Sequence, residues 1–327
     1  MNFNEVRDYV KEKYSEPHRF YHTLAHIDKM LEHLDRIEWL NPEEKDILRL
    51  AIYFHDYVYY PWLSNNEESS IEQFYLYYHN HDIPQEYYSK VVELIKATKK
   101  HEYTGDKLVD VMIDLDLDIL NSHFPQLIEW EHAIFKEYQY VPIADYVKGR
   151  VKFLENIKEK TYDSHFAPDS TKNLHYLIEY VKTRKYKIGI YPGSFNPMHI
   201  GHLDILKKSE RLFDKVIVAR GYNPQKDKPS TPLPHSIPNE TIEYDSLVTE
   251  LFKPIPNINV EFTMIRGFRN GYDIPAEENM KAWIRDIDPT IQFIYITSDP
   301  QYEHVSSSSI RDLSVFDSNF VKGYIVP

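Results

Sequence analysis

Two sets of residues have the types and spacing for chemistry on phosphates. In the first, His22 and His26 stand four apart, a spacing that predicts one shared helix face. His55-Asp56 closes the apolar run LAIYF. Adjacent residues share a helical face poorly, yet both reach one metal ion if the helix ends there. Asp114, Asp116 and Asp118 lie inside the apolar stretch MIDLDLDIL, where ionised carboxylates are costly unless paired or bound to metal. Imidazole with carboxylate suits Zn, Mn, Fe or Co, and a carboxylate-rich site with open water positions also accepts Mg.

The second set begins at Tyr191-Pro192-Gly193-Ser194-Phe195-Asn196-Pro197-Met198-His199-Ile200-Gly201-His202. This segment joins a predicted strand to a predicted helix, where backbone N–H groups and a positive helix end face phosphate. Gly193 allows the backbone to approach closely, and the His-x-Gly-His cluster can stabilise charge on a triphosphate during attack at its α-phosphorus. Three later segments extend the set. Asn223-Pro224-Gln225-Lys226 places a cation after the next strand. Arg266-Gly267-Phe268-Arg269 follows the strand EFTMI. Val305-Ser306-Ser307-Ser308-Ser309-Ile310-Arg311 opens a helix with hydroxyl and N–H donors for further phosphate oxygens.

The elements that position these residues differ between the two halves. At about 150 residues per domain, 327 residues predict roughly two domains. Residues 1–185 hold 12 of the 16 histidines and two of the nine glycines. Residues 186–327 hold the other four histidines and seven glycines, so a boundary is expected near Lys185, giving domains 1–185 and 186–327. The first half has apolar residues at three- and four-residue spacing in LAHIDKMLEHL, KDILRLAIYFH, YYSKVVELIKA and HYLIEYVK, which predicts an all-α domain. Asn41-Pro42-Glu43-Glu44 reads as a helix start, with an N-cap, a proline and then acids. In the second half, KIGIY, the helix HLDILKKSERLF and the strand KVIVARG form a β-α-β unit. NVEFTMIRG and TIQFIYITS add two strands, so an α/β Rossmann-like domain with a parallel sheet is expected.

Composition narrows the function. The chain has no cysteine, which removes disulfides, thiolate catalysis and Cys-based zinc sites and suits a cytoplasmic protein. The charged N-terminus lacks the apolar core of a secretory signal, and no apolar run is long enough to span a membrane. A net charge of −13 argues against general nucleic-acid binding.

Over roughly residues 14–180 the chain resembles the HD superfamily of metal-dependent phosphohydrolases, through YHTLAHIDKML, LAIYFHDYVYYP, SNNEESS, IKATKKH, IDLDLDIL and YVPIADYVKGRVKFL. The resemblance implies His26, His55, Asp56 and Asp116 as metal ligands, with Asp114 competing for the fourth place. The element Tyr-His-x-x-x-His is similar to that of cyclic-nucleotide phosphodiesterases, which implies His22 as general acid to a leaving oxygen. Glu67 and His101 are candidates for a second metal or for substrate contacts. An HD domain that only senses a nucleotide is the rival reading.

Residues 187–327 resemble the nucleotidyltransferase superfamily with the His-x-Gly-His signature, and within it the phosphopantetheine adenylyltransferases. The motifs are YPGSFNPMHIGHLDILKKSERLFDKVIVARGYNPQKDKP, MIRGFRNGYDIPAEENMKAWI and VSSSSIRDL. The resemblance implies Ser194 and His202 at the α-phosphate, and Lys226 and Arg266 on the acceptor phosphate and transition state. Gly193, Phe195, His199, Gly201, Arg269, Glu277, Ser307, Ser308 and Arg311 would line the ATP site, with Mg accompanying the triphosphate. ATP and a small phosphorylated acceptor, a homo-oligomer and a role in coenzyme A biosynthesis are expected, making the chain bifunctional. Two departures from that family bear on the acceptor. His199 is closer to pyridine-nucleotide adenylyltransferases and cytidylyltransferases. PSTPLPHSIPNE, with Pro229, Pro232, Pro234 and Pro238, replaces a helix that shapes the acceptor pocket. Nicotinamide mononucleotide is therefore the alternative acceptor.

Overall fold

The computed structural model describes residues 1–161, 168–222, 232–234 and 236–327. The chain divides into two compact units, Met1–Tyr138 with Lys148–Val181, and Gln139–Val147 with Lys182–Pro327. Residues 139–147 thus group with the second unit, although they lie far upstream of it in sequence.

The first unit is helical. It contains α1 (Phe3–Val10), α2 (Leu24–Arg36), α3 (Pro42–Phe54), α4 (Asn66–His79), α5 (Gln85–Thr98), α6 (Lys107–Asp116) and α7 (Phe124–Glu137), with most of α8 (Ile143–Thr161) and α9 (Pro168–Thr183). The α3 helix is central and packs against α1, α2, α4, α5 and α6. Its last five residues are all buried, which explains why its sequence is apolar on every side there. Asn41 caps it: the Asn41 side chain accepts from the Glu44 N–H, and Glu44 accepts from the Asn41 N–H. The α2 helix buries His26, Ile27, Met30 and Leu34, one stripe at helical spacing that includes a histidine.

The second unit is a five-stranded parallel sheet: β1 (Tyr186–Gly193), β2 (Lys215–Gly221), β3 (Thr241–Tyr244), β4 (Val260–Phe268) and β5 (Gln292–Thr297). The strand order is β3-β2-β1-β4-β5. The chain leaves β1 through α10 (Ile200–Ser209) to one side and later returns to β4 on the other. The order therefore reverses between β1 and β4, and the crevice at their C-terminal ends is where such sheets bind ligands. The α10 helix stops at Ser209, short of the LF end expected from its pattern, because Leu212 and Phe213 turn into the approach to β2. The four-residue edge strand β3 was not predicted, being too short and half exposed to stand out. It is followed by α11 (Ile274–Ile287), α12 (Ser307–Ser314) and α13 (Ser318–Lys322) around the later strands. Among the described residues no helix is long and apolar enough to cross a membrane.

Candidate functional site

In the helical unit, α3 ends at Phe54 and His55 is its C-cap, so the doublet sits where the chain turns away. Ligand atoms of His26, His55 and Asp56 lie within 4.8 Å of one another. Asp116, the last residue of α6, joins them: its Oδ1 is 3.2 Å from His26 Nε2 and 3.7 Å from His55 Nε2. Asp114 points elsewhere and accepts from the Tyr103 hydroxyl at 2.7 Å, while Asp118 pairs with His33 at 2.9 Å. Of the two aspartates, Asp116 is thus the one that the last turn of α6 places beside the histidines.

The cluster has the chemistry of a cation site. His55 Nδ1 donates to the Ile52 carbonyl at 2.9 Å, which leaves Nε2 as the ring's lone-pair nitrogen. That Nε2 is buried and makes no hydrogen bond of good geometry, although Asp56 Oδ2 lies 3.1 Å away. Burial pulls His55 down, but the charges of Asp56 and Asp116 raise it to about 9. The two carboxylates resist burial, and the neighbouring imidazoles still hold both well below the usual range. The site therefore draws positive charge.

His22 departs from the expectation of a shared helix face. The α2 helix begins at Leu24 with Thr23 as N-cap, so His22 lies outside it in the preceding turn. The rings of His22 and His26 are nevertheless 6.2 Å apart. Tertiary contacts hold His22: its Nδ1 donates to Glu137 Oε2 at 2.6 Å, and its ring stacks on Tyr59 at 4.0 Å. Its Nε2 is 4.0 Å from Asp56 Oδ2. Glu137 also accepts the backbone N–H groups of Phe20, Tyr21 and His22 and the Tyr59 hydroxyl. Burial pushes the Glu137 carboxyl up, but the His22 charge and these donors take it down to about 2. Glu137 was missed from sequence. Its signal was an acid on the apolar face of α7, in step with Leu127, Trp130 and Ile134. His101 Nε2 is 2.9 Å from Asp116 Oδ2, at the edge of the cluster, and Glu67 faces Lys99 at 3.4 Å.

In the α/β unit, a cavity of about 250 Å³ opens at the C-terminal ends of β1, β4 and β5. Its lining includes His199, Gly201, His202, Arg269, Glu277 and Ser307 from the sequence-derived set. His199 is the N-cap of α10, and the His199 and His202 rings stack at 3.7 Å. A side chain at residue 201 would press on His199, since a Cβ there meets its Cε1 and Nδ1 at 3.2 Å. A Cβ on Gly193 would meet the Phe195 ring at 2.8 Å. Burial, reinforced by the Arg269 charge, lowers His199 to about 4; burial, then His199 and Arg269, puts His202 well below its usual value. Both imidazoles are therefore neutral donors or acceptors at pH 7.

Arg266 Nε is 2.5 Å from Glu277 Oε2, and Arg269 Nη2 is 2.8 Å from Asp273 Oδ1. Ser194 is exposed in the turn after β1. Of the serine run, Ser306 caps α12 and Ser307 donates to the Pro197 carbonyl at 2.9 Å, both at the cavity. Ser308 is exposed and bonds Arg311 at 3.2 Å, and Arg311 also donates to the Asn196 carbonyl. Lys226 lies outside the described residues, as does the rest of its Asn-Pro-Gln-Lys segment. Sequence reasoning missed Ser298, a 6%-exposed residue after β5 whose hydroxyl faces this cavity without a partner.

Residues 190–313 match the family described as Cytidylyltransferase-like. Phosphopantetheine adenylyltransferases are similar over this part of the chain. That of Caldanaerobacter subterraneus subsp. tengcongensis is 34% identical over 145 residues, 40% of this chain and 85% of that enzyme. That of Lacticaseibacillus casei is 34% identical over 146 residues, 40% of this chain and 82% of its own length. That of Streptococcus gordonii is 33% identical over 150 residues, 41% of this chain and 85% of its own length.

Proposed function

Since the chain belongs through its C-terminal unit to the family of these adenylyltransferases, we propose that this unit transfers AMP from ATP to 4′-phosphopantetheine. An oxygen of the acceptor phosphate bonds to the α-phosphorus as the bond to the β-phosphate bridge breaks, and pyrophosphate leaves. The observation that carries the reading is the cavity at the sheet's reversal point, floored by His199-Gly201-His202 and walled by Arg269 and the N-terminus of α12. His202, neutral and at the helix N-terminus, donates to the α-phosphate oxygens as their charge develops. Arg266, with Lys226, holds the acceptor phosphate, while Arg269 and Ser307 hold the triphosphate. Mg²⁺ bound to the triphosphate would neutralise part of its charge. Catalysis is then positioning and electrostatics with no covalent intermediate. His199 favours one second reading, nicotinamide mononucleotide as acceptor. Pyrophosphate release from ATP with each acceptor tests both: turnover with neither removes the adenylyltransferase reading.

The first unit, on this reading, is an HD-type phosphohydrolase acting on a nucleotide or coenzyme-related phosphate. His26, His55, Asp56 and Asp116 would hold a divalent metal; the buried Nε2 of His55, without a well-formed hydrogen bond and beside the Asp56 and Asp116 carboxylates, supports this set. Bound there, such an ion would make a water molecule more acidic and so a better nucleophile near pH 7. His22, held at Nδ1 by Glu137, protonates the departing alkoxide from Nε2. Metal analysis of the purified chain, then phosphate release from coenzyme precursors and nucleotides by wild type and a His55→Ala/Asp56→Ala variant, tests it. Nucleotide binding that needs the cluster but brings no turnover would favour a sensor.

A further inference from the structure

Arg220, near the end of β2, is given no role by the sequence, yet it is one of the largest fully buried side chains, 2% exposed. A guanidinium is rarely removed from water without a specific partner. Its Nε donates to the Ser194 carbonyl at 3.2 Å and its Nη2 to the Phe195 carbonyl at 3.3 Å. These are the two residues at the centre of the turn that follows β1. Phe195 has φ 43°, in the left-handed region that a residue with a bulky side chain occupies only when its surroundings impose it.

The peptide plane carries the consequence. In a trans peptide the C=O and the next N–H point in opposite directions. A Ser194 carbonyl drawn onto Arg220 therefore turns the Phe195 N–H away from it. Neither the Ser194 N–H nor the Phe195 N–H has a hydrogen-bond partner among the described residues. Successive free N–H groups around a left-handed residue form an anion-binding concavity. The charge of Arg220 lies behind this turn and is only loosely balanced: the carboxylate nearest to it, Glu243, is 3.8 Å away and 61% exposed.

We propose that Arg220 is a positioning residue for adenylyl transfer, holding the Ser194 and Phe195 carbonyls back so that the N–H face of the turn receives phosphate, with its own charge beneath. This rests on the nucleotidyltransferase reading of the same site. It adds to that reading a residue from β2 whose contact with the reaction is entirely through the turn.

The test uses the full chain with Mg²⁺, ATP and 4′-phosphopantetheine, and follows pyrophosphate release. Arg220→Met keeps the volume and removes the donors; kcat falls about 10- to 100-fold while the acceptor KM changes less than about threefold. Arg220→Lys, which restores a donor and the charge, recovers about a third or more of the lost logarithm of kcat. A folded Arg220→Met chain with kcat within about twofold of wild type, or a Lys variant no better than Met, overturns the proposal. A third variant covers the case in which Arg220→Met does not fold. Glu243→Gln, at an exposed position, frees the Arg220 charge and tightens inorganic pyrophosphate binding about two- to threefold at low salt. Unchanged pyrophosphate affinity in that variant counts against the proposal. If wild type turns over no acceptor, the functional reading fails and the role of Arg220 in adenylyl transfer fails with it, even where pyrophosphate binding depends on Glu243; turnover by wild type with an unaffected Arg220→Met variant overturns the role of Arg220 alone.

Discussion

Glu137→Gln gives the most demanding test of the helical unit. The carboxylate is buried and accepts from three successive N–H groups, from His22 Nδ1 and from the Tyr59 hydroxyl. Against burial, the His22 charge and these donors hold its carboxyl at about 2, where the ordinary value is 4.5. That gap is worth about 3 kcal/mol of folding stability. The folded value is the lower one, so the contribution is complete above pH 4.5 and is lost as pH falls towards 2. A glutamine keeps the shape but replaces one acceptor oxygen with an NH₂ group facing other donors. At pH 7 the variant should lose about 3 kcal/mol, and its unfolding midpoint should fall by about 6–12 °C for a unit of this size. Trp39, Trp62 and Trp130 lie in this unit and Trp283 in the other, so fluorescence weights the transition towards the right one. Urea titrations of wild type and variant at pH 7, 5 and 3 are the assay. A difference below about 1 kcal/mol at pH 7, or one that does not shrink between pH 5 and pH 3, would refute the reasoning.

Other outcomes follow from the same geometry. On the metal-centre reading, Asp116→Ala should strip bound metal from the purified chain, whereas Asp114→Ala, which removes the acceptor of the Tyr103 hydroxyl, should retain it; equal loss in both would break the ligand assignment. His202→Ala should lower adenylyl transfer about 10²- to 10³-fold with the fold intact by circular dichroism. With His199 at about 4 and His202 well below its usual value, kcat/KM for ATP should show no histidine step between pH 8 and about 5.5. A step centred near pH 6.5 would mean that the imidazoles are not buried as described. Lys215 is buried, donates to the Gln139 and Val141 carbonyls and pairs with Glu240 at 3.2 Å. Lys215→Met should destabilise the α/β unit by about 3–5 kcal/mol in urea, because it strands a buried carboxylate.

Patterns that act over a few residues were legible in the sequence. The capping box at Asn41, the strand-turn-helix carrying His199 and His202 and the helical spacing of α2, α3 and α5 depend on backbone propensity and periodicity. The parallel sheet was legible for the same reason, since a β-α-β crossover sets neighbouring strands parallel, whereas the strand order and its reversal point came from the structure. What escaped depended on partners far along the chain. Nothing near residue 22 announces that Glu137 holds it, and nothing in MIDLDLDIL separates Asp116 from Asp114 until α6 is docked against α2 and α3. Arg220 reads as one more residue of a strand until its two bonds to the turn after β1 are seen. Residue types and spacing determined which chemistries were open to this chain. The packing of helix ends and strand ends, which sets each group's burial and neighbours, decided which carboxylate faces the cluster, which imidazoles stay neutral and which buried charges do the holding.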